Sequence, residues 1–94
     1  MPDNIEYTAL CCGRRVPAAL YKSVRNRVLE SVPELEPCRP YMLKMICGEQ
    51  YWNDLQGYKT HAGLIMAELV DKQLVPYQFA SERDSKPLWY CITQ

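Results

Sequence analysis

His61 is the only histidine in the chain, so imidazole-based proton transfer or metal ligation would have to run through it. Thiols are more plentiful: Cys11, Cys12, Cys38, Cys47 and Cys91. A cysteine nucleophile with a histidine base is arithmetically available, but no spacing brings a particular thiol to the imidazole. Structural zinc sites advertise cysteine pairs two residues apart, and no such pair occurs here, although Cys11, Cys12, Cys38 and His61 together hold enough donors for one ion. Glycine-rich phosphate loops and paired-carboxylate signatures are absent as well. The expectation is a non-enzymatic protein with no catalytic residue, no metal and no cofactor. An odd number of cysteines in irregular spacing argues for reduced thiols and a cytoplasmic setting, with Cys47 and Cys91, which sit within apolar periods, as core residues.

Binding another macromolecule is the chemistry that remains. The chain has 94 residues and a formal net charge of zero, which lowers the case for nucleic acid unless the charge is unevenly placed. It is unevenly placed. Arg14, Arg15, Lys22, Arg25 and Arg27 follow one another with no acid between them, whereas residues 45–94 hold four basic and six acidic residues. A hydrophobic fraction of 48% excludes extended disorder and supports one packed domain. No apolar run approaches the roughly 18 to 20 residues that span a bilayer, and residues 1–7 are acidic rather than signal-like, so no membrane partner is expected.

The elements that would position these groups read as follows. Residues 1–16 alternate only loosely and are expected to be an N-terminal arm or a short edge strand. Pro17 suits the first position of a helix, and Leu20, Tyr21, Val24, Val28, Leu29 and Val32 carry an apolar stripe to Val32. Three prolines in Pro33 to Pro40 make a loop. Tyr41 to Leu43 reads as a brief strand. Lys44 to Leu55 reads as a second helix through Ile46, Cys47, Tyr51 and Leu55, with Gly48 inside it as a sign of close packing and Trp52 as an anchor. A third helix spans Lys59 to Gln73, capped by Thr60, with Ala62, Ile65, Met66, Leu69 and Val70 on one side. Two strands, Leu74 to Ala80 and Leu88 to Thr93, alternate inward and outward around the polar run Ser81 to Pro87.

The fold class expected is mainly α with a C-terminal β-hairpin. The order helix, short strand, helix, tight turn, helix, strand, polar loop, strand resembles the winged-helix variant of the helix-turn-helix fold, with residues 17–94 as the domain. The resemblance implies a three-helix bundle whose third helix stands in the recognition position, with Ser81 to Pro87 as the wing. At finer grain Cys47, Gly48, Glu49, Tyr51, Trp52, Ala62, Gly63, Met66, Ala67, Leu69, Val70 and Leu74 to Pro76 are similar to small uncharacterised proteins carried by bacteria and their mobile elements.

Two functions follow from that arrangement. In the first, a DNA-binding transcription regulator, Lys59, Thr60 and His61 in the first turn of the third helix meet double-stranded DNA while Arg83 and Lys86 of the wing hold its backbone. In the second, a protein-protein interaction module, either adaptor or inhibitor of a host complex, uses Leu64, Ala67, Glu68 and Asp71 on the outward face of the same helix. A homodimer would suit either, since paired modules read paired half-sites. On the first reading Glu68 and Asp71 oppose phosphates. The third helix must in both be displayed outward.

Overall fold

The structure, a computed structural model, describes residues 6–11, 13–82 and 88–93. Arg83, Lys86, Cys12 and most of the expected wing therefore lie outside the described residues. About half of the chain is helical, and two small antiparallel strand pairs accompany the helices.

The chain begins with β1 (Tyr7–Ala9) paired to β2 (Arg15–Pro17), in the register Thr8 opposite Val16. Leu10 at 5% and Val16 at 0% exposure belong to the core, so the segment expected as an arm is packed into it through these two side chains. Helix α1 (Ala18–Glu30) follows directly, with Pro17 as its N-cap rather than its first residue. Val24 and Val28 are fully buried on the side of α1 that packs against the last helix.

The expected second helix is two short ones, α2 (Leu43–Cys47) and α3 (Glu49–Asp54), and Gly48 is the break. Its φ of 92° is open to glycine and strained for other residues. The break strands carbonyls that a continuous helix would have bonded, and α1 and its C-cap residue supply the donors. Ser31 Oγ donates to the Ile46 carbonyl at 2.6 Å and Arg27 Nε donates to the Cys47 carbonyl at 2.7 Å. Close packing at Gly48 is real, but it is packing against a side chain: a Cβ there would lie 3.3 Å from Arg27 Nη2.

A 3-10 turn (Gln56–Tyr58) leads into α4 (Lys59–Asp71), the helix expected over Lys59 to Gln73. Tyr58, not Thr60, occupies the N-cap position, and no side chain caps this end. Gln73, at φ 57°, has already left the helix. Ala62, Ile65, Met66, Leu69 and Val70 are all buried, as their period requires.

Strands β3 (Tyr77–Phe79) and β4 (Tyr90–Ile92) form the C-terminal pair, shorter than the sequence suggested, with Gln78 opposite Cys91. Tyr77 and Tyr90 are buried, and the Tyr77 hydroxyl donates to the Val28 carbonyl at 2.8 Å, tying the pair to α1. The brief strand expected at Tyr41 to Leu43 reduces to one bridge. Tyr41 and Tyr90 exchange N–H to carbonyl bonds of 2.7 Å in both directions, after which Leu43 already starts α2. No helix among the described residues is long and apolar enough to cross a membrane.

Candidate nucleic-acid interface

The first turn of α4 opens to solvent. Lys59 and Thr60 are exposed, and His61 is partly exposed. Lys59 Nζ lies 5.9 Å from the centroid of the Trp52 ring on α3, so the indole face steadies the ammonium while its charge stays outward. Tyr58 meets His61 edge-on with ring centroids 5.4 Å apart, and His61 Nδ1 is buried with no hydrogen-bond partner among the described residues. The amides of an uncapped helix start carry partial positive charge, so the Lys59 ammonium and the helix end are of one sign, with the Thr60 hydroxyl a neutral group between them.

Beyond the first turn the outward strip of α4 is small and weakly apolar. Gly63, Leu64 and Ala67 are partly exposed, and a Cβ added at Gly63 would meet nothing within 4 Å. Asp71, at the far end, is exposed.

Glu68 departs from its expected place. The outward face was to carry Leu64, Ala67, Glu68 and Asp71 together, but Glu68 is 6% exposed. The loop joining β1 to β2 covers this flank of α4, and the Cys11 N–H donates to Glu68 Oε1 at 2.7 Å. Lys72 Nζ, one turn further on, is 3.2 Å from Glu68 Oε2. Burial alone would raise the Glu68 carboxyl, but the Cys11 amide and then the Lys72 ammonium outweigh it and hold the group below its ordinary value. Reciprocally, the Lys72 ammonium is pushed up, first by its bond to Glu68. Glu68 is thus ionised, paired and covered. Nothing local marks this: a glutamate on the polar side of an amphipathic helix reads as solvated until the segment that lies over it is known.

Among the described residues no three of His, Cys, Asp and Glu stand close enough to hold a metal. Cys11 and Cys38 are exposed free thiols, whereas Cys47 and Cys91 are buried. Burial pushes the Cys47 thiol up to about 12 against the opposing charge of Arg27, which keeps it protonated and unreactive at neutral pH. A shallow groove of about 670 Å³ lies where α4 meets β3, lined by Val70, Leu74, Val75, Pro76, Tyr77 and Phe79 among others, with Leu74 half exposed.

No protein-family profile, curated protein or solved structure matches the chain.

Proposed function

We propose that the chain is a non-enzymatic, winged-helix-like DNA-binding regulator that presents α4 to double-stranded DNA. The element order supports the reading, because Tyr41 stands before α2 and bridges to β4 beyond α4, the place a winged-helix sheet gives its first short strand. The observation that carries it is electrostatic. With Glu68 drawn under the β1–β2 loop and paired with Lys72, Asp71 at the far end is the one exposed acid of α4, and Lys59 stands at the opposite, N-terminal end. Lys59 and Thr60 then meet phosphate oxygens at the helix start, and the missing side chain at Gly63 lets the backbone approach a groove wall. Arg83 and Lys86, from the wing, would grip the adjoining strand.

Retention on a duplex of mixed sequence tests this directly. Binding should weaken steeply as salt rises, because each phosphate contact releases condensed counterions. Absence of binding at low salt, or binding indifferent to salt, sinks the reading.

One observation favours a second role for the same strip. Leu64 and Ala67 are apolar and accessible beside the open Gly63, which suits a protein surface, including a second copy of this chain. Leu64→Arg should then abolish partner capture or self-association while the fold persists; unchanged association removes α4 from that contact.

A further inference from the structure

The charge of this molecule is segregated by structural unit. Residues 7–29, which build β1, β2 and nearly all of α1, contain five basic residues and no acid, while the rest of the chain holds six basic and eleven acidic residues. Of the five, Arg27 is committed inward to the Cys47 carbonyl and sideways to Glu30 at 3.7 Å. The other four stand differently. Arg14, Arg15 and Lys22 are exposed and Arg25 partly so, and among the described residues none of them makes an ion pair.

Their direction follows from the buried positions beside them. Val16 of β2 points into the core at 0% exposure, so its neighbour Arg15 points out. Val24 and Val28 of α1 face α4, so Lys22, nearly opposite them around the helix, points away from α4, and Arg25, partly exposed, lies on the flank next to it. Asn26, exposed, adds a neutral donor along the same helix, whereas Ser23 Oγ is bonded to the Tyr51 hydroxyl at 2.7 Å. Arg15, Lys22 and Arg25 have no acid between them in sequence and no ion pair among the described residues, and they gain most from a partner that carries closely spaced negative charge on a rigid frame.

We propose that the outer side of β2 and α1, through Arg15 and Lys22 with Arg25 on its flank, is a second contact surface for duplex phosphates, apart from the exposed first turn of α4. The inference rests on the DNA-binding reading above and extends it: one molecule would touch two duplex segments, one through α4 and one through the cationic face. Phosphates fit the chemistry because the contacts need only charge and hydrogen-bond donors, with no apolar anchor.

A sandwich measurement tests it. An unlabelled duplex is immobilised, the full chain is loaded at low salt, and a fluorescent duplex of unrelated sequence is passed over it. The native protein should capture the second duplex. Arg15→Ala with Lys22→Ala should remain bound to the immobilised duplex but capture the second about tenfold less well, with the salt slope of that capture shallower by about two. Should the pair disturb β2, Lys22→Gln with Arg25→Gln, confined to α1, should give the same loss, with circular dichroism confirming an unchanged melt. If the native protein binds the immobilised duplex and captures no second one, or if the substitutions leave capture unchanged, the second surface is refuted while the DNA-binding reading stands. If fluorescent polyglutamate is captured in place of the duplex, the face serves an acidic polypeptide and the proposal is overturned. Failure to bind the first duplex overturns the functional reading, and this inference with it.

Discussion

Glu68 Oε1 accepts a hydrogen bond of 2.7 Å from the backbone N–H of Cys11, a residue 57 positions away in sequence. That bond fastens the β1–β2 loop to the flank of α4 and decides which part of the helix faces outward. Replacing Glu68 with Ala leaves the Cys11 amide without its acceptor, at a cost of about 2 kcal/mol. A chain of this size should then melt about 10 °C lower. Hydrogen exchange should quicken at Cys11 and along β1 before it quickens in α1; uniform acceleration would show that the loop is held by something else.

The same carboxylate sets the acid limb of stability. Its folded value is depressed below 4.5, so its contribution is fully present above that pH and is lost as pH falls through the lower folded value. In urea titrations from pH 7 to 3, the stability gap between native protein and Glu68→Gln should be constant above about pH 5 and close below 4.5. A gap that widens toward low pH contradicts the assignment.

At the alkaline end the signs reverse. Burial raises the Tyr77 hydroxyl from 10.0 to about 12, and the Cys47 thiol from 9.0 to about 12. Both groups contribute stability below their unfolded values and lose it as pH climbs toward 12. Tyr77→Phe should cost about 1 kcal/mol at pH 7 through the lost bond to the Val28 carbonyl. It should also flatten the decline above pH 10, which a pH series of chemical melts measures directly.

Two glycines should respond oppositely to alanine. Gly48→Ala forces a Cβ into φ 92° and against Arg27 Nη2 at 3.3 Å, and should cost about 2 to 3 kcal/mol. Gly63→Ala adds a better helix former in open space and should stabilise by up to about 1 kcal/mol. Thermal melts of the two variants settle the contrast, and weakened duplex binding by the more stable Gly63→Ala would mark that face as the contact.

Thiol accessibility gives a fifth check. Iodoacetamide at pH 8 followed by peptide mass mapping should label Cys11 and Cys38 in the native protein, and Cys47 and Cys91 only after unfolding. Early labelling of Cys47 would mean that the α1–α2 junction opens readily.

Periodicity alone placed α1 and the core side of α4, because Val24, Val28, Ala62, Ile65, Met66 and Leu69 recur at the helical interval and burial follows from that interval whatever the neighbours are. The strand pair was legible in part: alternation put Tyr77 inside and Gln78 outside, as found, whereas β4 is buried at Tyr90, Cys91 and Ile92 alike. Gly48 was visible as unusual, but a glycine tolerated in a helix and a glycine that divides one look alike locally. What divides this one is the offer of Arg27 of α1 and Ser31, its C-cap, to take the freed carbonyls, contacts that span 20 and 15 positions of the chain.

The character of the outward face of α4 belonged to tertiary structure altogether. Glu68 lies on the polar side of its helix by any local rule, and only the return of the β1–β2 loop, with Cys11 and Lys72 as partners, takes it out of water. Local sequence determines which residues can share a face, because that depends on backbone geometry within a few residues. Whether a face meets solvent depends on which distant segment lies over it, and that is decided when the whole chain packs.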